Sequence, residues 1–254
     1  MSLMKRTVLI SGASRGIGLG IAHLALKRGM RVILLAQRED ELKSASQKLI
    51  AESFSAADIE IQVLDVADSD AIVRRVAKFT SLQSGLFGLV NNAAIEILKP
   101  FNEFTREDLD LTWRVNMLAP ILMMKACYPF LKMSKGSVVN ISSTADRAYC
   151  RLYSVYGASK AFLNSLSAHA AREFGFDGVR INVISPGGVD TPLMREVLES
   201  GVFDPEETRK EMQQIPIEQR WATIEEIAEA AIFALEGPAY LHGADLRVHG
   251  GSAV

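Results

Sequence analysis

The chain has 254 residues, 48% hydrophobic and 23% charged, and its 28 Lys and Arg against 30 Asp and Glu leave a net charge of −2. This is the balance of a globular chain able to bury one large core, and it excludes a disordered or fibrous one. No Lys/Arg cluster offers the charge that phosphate neutralisation needs, so nucleic acid is not an expected partner. The longest apolar runs, Ile121–Met124 and Ala228–Leu235, fall far short of the about 18 residues that span a bilayer, and no membrane association is expected. Cys127 and Cys150 have neither disulfide nor zinc-like spacing. Met1–Leu3, ahead of a second methionine at Met4, read as a cloning remnant and not a signal peptide, and the cytosol is the expected compartment.

In chain order, short β-branched runs alternate with longer helical patterns, as in a parallel sheet with crossover helices. The expected strands are Thr7–Ser11, Arg31–Leu35, Glu60–Val66, Leu86–Asn91, Ser137–Ser142, Arg180–Ser185 and Asp245–His249. The expected helices are Gly16–Arg28, Glu39–Phe54, Ser69–Leu82, Arg106–Leu131, Tyr153–Phe174 and Ile224–Leu235. With no repeat or linker, residues 4–254 read as one α/β domain built on a doubly wound sheet. From Val115 onward the fourth helix is apolar on nearly every face (Met117, Leu118, Ile121, Leu122, Met123), so one side is expected to pack on the sheet and the other on a second copy of the chain. A homo-oligomer, dimer or tetramer, is the expectation. Residues 192–220, with Gly201, Pro205, Pro216 and dense charge, break the rhythm and are expected to form a substrate lid; two surface helices without a gating role are the alternative.

Directly after the first strand comes Ser11-Gly12-Ala13-Ser14-Arg15-Gly16-Ile17-Gly18. Glycines allow a tight turn and close backbone approach, and the helix they open offers free N–H groups and positive partial charge to a pyrophosphate. The spacing is Gly-x3-Gly-x-Gly rather than G-x-G-x-x-G. Gly12-Ala-Ser14-Arg-Gly16 also matches a hydrolase nucleophile elbow, with His242 and His249 as later histidines. That fold needs an earlier strand to supply its oxyanion loop, and too few residues precede Ser14.

Further along stand Asn91-Asn92-Ala93-Ala94, Asn116, Ser142-Ser143, Tyr156-Gly-Ala-Ser-Lys160 and Pro186-Gly187 with Thr191. Together with the glycine turn, and in this order, they resemble the short-chain dehydrogenase/reductase superfamily over essentially the full chain. The resemblance extends to the compact type that includes 3-oxoacyl-carrier-protein reductases. It implies a Rossmann-type sheet of seven strands with helices on both faces, and an enzyme that moves a hydride between a nicotinamide dinucleotide and a small carbonyl or secondary alcohol substrate. A non-catalytic NADP(H)-binding regulatory protein on the same fold is the alternative.

Tyr156 and Lys160, four residues apart, share a helix face. An ammonium beside the phenol is expected to lower its pKa, making Tyr156 the acid–base, with Ser143 holding the substrate oxygen. A snorkelling lysine on an ordinary amphipathic helix is the bland reading of that pair. The resemblance implies a catalytic set of Asn116, Ser143, Tyr156 and Lys160, with Asn116 supporting a proton-relaying water chain and Lys160 holding the nicotinamide ribose. It implies cofactor contacts at Gly12, Ser14, Arg15, Gly16, Ile17, Gly18, Arg38, Asp65, Val66, Asn92, Ala93, Tyr156, Lys160, Pro186, Gly187, Val189 and Thr191. Substrate contacts are expected at Ser143, Tyr156, Glu96, Tyr149 and Tyr153, with Arg147 nearby.

Ala36 stands where an acid would bind a ribose 2′-hydroxyl, and Arg15 and Arg38 supply positive charge, so NADP(H) is favoured over NAD(H). Ala94, Ser11 and His249 replace the family's usual glycine, threonine and aspartate. No His, Cys or carboxylate set has metal spacing, and no metal site is expected.

Overall fold

The computed structural model describes residues 5–149, 151–199, 217 and 219–252. The strands are β1 (Thr7–Ser11), β2 (Arg31–Ala36), β3 (Ile59–Val63), β4 (Gly88–Asn91), β5 (Ser137–Ile141), β6 (Arg180–Pro186) and β7 (Asp245–Val248). They form one sheet in the order β3-β2-β1-β4-β5-β6-β7, with every neighbouring pair parallel. The helices are α1 (Gly16–Lys27), α2 (Glu39–Ala51), α3 (Ser69–Arg75), α4 (Arg106–Thr112), α5 (Ala119–Ser134), α6 (Ser154–Gly175), α7 (Pro192–Glu199) and α8 (Ile224–Glu236).

Alternation along each strand sends side chains to two cores. Val8 and Ile10 of β1 join Ile21 of α1, Leu42 of α2 and Ile227 of α8. Leu9, between them, joins Ile72 of α3, Met123 of α5 and Ala171 of α6 on the other face. Because both faces are covered, the central strands are continuous apolar runs. The strand order reverses between β1 and β4, and open α/β sheets bind ligands in the crevice beyond such a switch point.

Three expectations change. The helix expected over 69–82 stops at Arg75 and continues as 3-10 turns at Val76–Lys78 and Thr80–Leu82. The chain leaves helical geometry at Phe79 (ψ 121°), with Phe79 and Leu82 both buried in the core. The helix expected over 106–131 contains a π-helical stretch, Trp113–Leu118, between α4 and α5. Pro120 lacks an N–H and its ring crowds the carbonyl four residues earlier, that of Asn116, so the turn ahead of it widens. Strand β3 ends at Val63 because Asp65 folds back, its carboxylate accepting from the Ala67 amide at 2.8 Å.

Of the expected lid, Pro192–Glu199 is α7, and Ile217, Gln219 and Arg220 are described. Its other residues, Gly201, Pro205 and Pro216 among them, lie outside the described residues, as do Met1–Met4 and Cys150. Among the described residues no helix is long and apolar enough to cross a membrane.

Candidate active site

A cavity of about 370 Å³ opens at the carboxyl ends of the central strands. The glycine turn forms one wall. Gly12 and Gly16 hold left-handed backbone (φ 64° and 57°). A side chain at Gly12 would meet Ala93 Cα at 2.9 Å, and one at Gly18 would meet the Gly12 carbonyl at 2.4 Å, so the turn, α1 and the Asn92 loop pack backbone to backbone. Ser11 stitches them together: its hydroxyl accepts from the Asn92 and Ala93 amides at 3.0 and 3.1 Å. Asn92 Nδ2 in turn donates to the carbonyls of Ser11 and Gly12 at 3.0 and 3.1 Å.

No side chain caps α1 and no acidic residue sits in its first turn, so its leading N–H groups remain available to an anion. A dinucleotide pyrophosphate fits this opening. Leu64, Asp65 and Val66 line the cavity beside Ala36 and Arg38, and Pro186, Gly187, Val189 and Thr191 line its far end.

The opposite wall carries the candidate chemistry. At the end of β5, Ser142 donates to the Lys160 carbonyl at 3.3 Å, and Ser143 caps a 3-10 turn, Thr144–Asp146, accepting from the Ala145 amide at 3.1 Å. Helix α6 comes in against that turn at Gly157, where a Cβ would lie 2.5 Å from the Ala145 carbonyl. This approach brings Tyr156 within hydrogen-bond reach of Ser143. Lys160, one helical turn on and buried, donates to the Ile141 carbonyl at 3.0 Å and lies 5.5 Å from the Tyr156 ring centroid. The same α6 face continues to Asn164, which donates to Asp146 at 2.9 Å, and Arg247 from β7 pairs with that carboxylate at 2.6 Å. The Ser143 turn is thereby tied to both α6 and β7.

The electrostatics differ from the sequence expectation. The Tyr156 phenol is pushed up, not down: burial is the largest cause, the Glu96 charge adds to it, and the hydrogen bond with Ser143 opposes both. Burial also holds Lys160 down at about 8, with Glu96 pulling the other way. Lys160 is therefore an ammonium in a low-dielectric wall, already engaged by a carbonyl, and the protein alone does not make Tyr156 a phenolate.

Glu96 lines the cavity, and its carboxyl is pushed up by burial while a hydrogen bond from Tyr153 and the Lys160 charge pull it down.

Three expected site residues sit elsewhere. Tyr149 does not line the cavity; its backbone is left-handed (φ 49°) and the residue is 91% exposed. Gly18 contributes packing rather than lining. Asn116 is buried in the π-helical stretch behind the wall. Its side-chain amide exchanges two 2.9 Å bonds with the backbone of Ile95 and donates to Ser159 at 3.1 Å. Arg147 lies beside a second cavity and pairs with Asp146.

Glu41 and Glu196 escaped the sequence reading. Glu41 accepts from Ser14 at 3.0 Å and pairs with Arg38, a partnership that the three-residue spacing could have signalled. Among the described residues no group of three or more His, Cys, Asp or Glu could hold a metal ion.

Comparison with known proteins agrees with this geometry. A family model described as Enoyl-(Acyl carrier protein) reductase matches residues 12–253. A tropinone reductase homologue of Arabidopsis thaliana is 30% identical over 256 residues, covering 100% of this chain and 92% of the relative. The L-xylulose reductase of Caenorhabditis elegans is 33% identical over 249 residues, covering 97% and 95%. The crystal structure of L-sorbose reductase from Gluconobacter frateurii, complexed with NADPH and L-sorbose, superposes with a TM-score of 0.89 at 25% identity, covering 99% of this chain and 98% of that one. With the glycine cradle at the switch point and Ser143, Tyr156 and Lys160 gathered on the facing wall, the chain belongs to the short-chain dehydrogenase/reductase superfamily, as an oxidoreductase acting on CH–OH and C=O groups.

Proposed function

We propose that the protein is an NADP(H)-dependent reductase of small hydroxylated ketones that runs in reverse on the matching secondary alcohols. The observation that carries this reading is the cavity wall on which Tyr156, Ser143 and Lys160 meet a half-buried Glu96 hydrogen-bonded by the buried Tyr153. Tyr153 and Lys160 offset part of the cost of burying this carboxyl, and its remaining acceptor capacity faces the cavity. Here it offers acceptors to substrate hydroxyls that an unsubstituted ketone lacks. The names of two relatives, L-xylulose reductase and L-sorbose reductase, point to the same substrate class.

The bound nicotinamide supplies the hydride acceptor or donor. In reduction, Ser143 donates a hydrogen bond to the carbonyl oxygen, and Tyr156, which burial keeps protonated, gives up its proton to that oxygen as the alcohol forms. In oxidation Tyr156 takes the proton back. Lys160 places positive charge beside the phenol when that proton leaves. Asn116 holds the Asn92–Ile95 loop in place from behind, so its role in this account is positioning.

NADP(H) is favoured because Ala36 presents no acid to a ribose 2′-hydroxyl while Arg15 and Arg38 line that end of the cavity. A homo-oligomer is favoured by two exposed apolar side chains, Leu109 of α4 and Trp113 at the start of the π-helical stretch, of which Trp113 meets Phe162 of α6 edge to face at 5.9 Å. The non-catalytic alternative loses ground because the acid–base pair and its supports are intact.

A substrate panel with NADPH tests this reading. Turnover of ketoses above that of unsubstituted ketones and 3-oxoacyl thioesters is expected, whereas a preference for acyl thioesters would overturn the hydroxylated-ketone assignment.

A further inference from the structure

The adenosine end of the cavity holds an ion pair between two distant parts of the chain. Arg15, in the glycine turn, makes a bidentate contact with Glu196 on α7; the second of its two bonds, Nη2 to Oε2, is 3.0 Å. Glu196 raises the Arg15 pKa above its ordinary value, and Arg15 holds the Glu196 carboxyl below the usual carboxylate range, with Arg38 adding to that effect.

Helix α7 buries one residue, Leu198, and is held besides by the Met194 amide, which donates to Thr191 at 3.2 Å, and by Arg195, which pairs with Asp190 at 2.9 Å. Its first residues, Pro192 to Met194, line the far end of the same cavity, and Pro192 Cδ would lie 3.8 Å from a Cβ built on Gly16. The helix therefore runs alongside the phosphate cradle, from the end lined by Thr191 to the two arginines. Arg38 has its own partner, Glu41, from the first turn of the helix that it leads. Arg15 is the arginine whose counter-ion comes from α7.

We propose that Glu196 is a cofactor-specificity residue: an internal anion that occupies Arg15 until the 2′-phosphate of NADP(H) displaces it. NADH carries no group that claims Arg15, so it binds with the pair intact. NADP(H) exchanges one anion for another, and part of the attraction between Arg15 and its phosphate is spent in freeing Glu196. The chain thus discriminates between the two cofactors less than its arginines alone would. The exchange also detaches the last turn of α7 from the glycine cradle only when the phosphorylated cofactor binds. This inference rests on the assignment of Arg15 to the 2′-phosphate.

The test is fluorescence titration of the full chain with NADPH and with NADH at low ionic strength, for wild type, Glu196→Gln, Arg15→Ala and the double variant. Both partners are largely solvated (side chains 39% and 53% exposed), so Glu196→Gln should tighten NADPH binding by about two- to five-fold and leave NADH unchanged. In the Arg15→Ala background the same substitution should change neither. An equal effect on both cofactors, no effect on either, or an effect that persists without Arg15 would overturn the exchange. The readout is the change in the NADPH to NADH ratio, which is separate from the wild-type preference itself. Tighter binding of NADH by wild type would contradict the cofactor assignment, while the variant ratios would still decide the role of Glu196.

Discussion

Asn116 and Ile95 exchange two hydrogen bonds of 2.9 Å each, a side-chain amide standing in for a backbone partner in a wall that has no strand to supply one. The Asn92–Ile95 segment follows β4 without joining another ladder, so its backbone groups need this pairing. Asn116→Ala leaves the Ile95 N–H, its carbonyl and Ser159 without these partners, and the expected loss is about 2–4 kcal/mol of stability. Urea denaturation of the cofactor-free protein measures it, and a loss below about 1 kcal/mol would show that water replaces the amide.

Glu96 separates stability from specificity. Burial pushes its carboxyl above the ordinary value, so folding disfavours its ionised form. A folded pKa raised above the unfolded one contributes stability that is complete below the unfolded value and lost as pH rises through the folded one. Glu96→Gln should therefore unfold at higher temperature than wild type at pH 8 while raising KM for hydroxylated ketones. Because Glu96 raises both Tyr156 and Lys160, the basic limb of the pH–rate profile for reduction should also move to lower pH. An unmoved limb with lowered KM would contradict the placement of Glu96 at the substrate.

Lys160 gives a second pH signature. Burial holds its folded pKa at about 8 against 10.5 for the free side chain, so between those values the unfolded chain binds more protons. Its contribution to stability is complete above the unfolded value and lost as pH falls through the folded one. The stability of wild type relative to Lys160→Met should accordingly rise from pH 8 toward pH 10.5, in paired urea titrations without cofactor. A flat difference would mean that the ammonium is solvated in solution.

The exposed Leu109 of α4 and Trp113 of the π-helical stretch predict self-association. Light scattering should give a multiple of the chain mass, and the double substitution Leu109→Asp with Trp113→Asp should reduce it to that of a single chain. A monomeric wild type at micromolar concentration would contradict the oligomer.

Much of this site was legible because its parts obey local rules. Tyr156 and Lys160 share a face by helical periodicity, and Gly12 and Gly16 occupy left-handed positions in a turn that a strand feeds directly into a helix. What was not legible depends on distant or competing effects. The widened turn around Asn116 follows from Pro120 acting on a carbonyl four residues back, within a pattern that otherwise reads as one helix. The upward shift of Tyr156 reflects burial by the whole fold, which outweighs a favourable neighbour in sequence. Tyr149 was expected in the pocket from its position in the family fold, but a left-handed backbone and an exposed ring set it apart from the cavity. Arg15 and Glu196 lie 181 residues apart, beyond any spacing argument.

In the proposed reaction Tyr156 is the proton donor and acceptor of a carbonyl reductase. The direct test is Tyr156→Phe, with NADPH oxidation in the presence of a ketose substrate measured beside NADPH binding. The substitution removes one hydroxyl from a buried ring, so the fold and the cofactor site should persist. Turnover should fall by at least about 100-fold, the order expected for loss of a general acid, with NADPH affinity unchanged within a few-fold. Turnover retained near the wild-type level would contradict it.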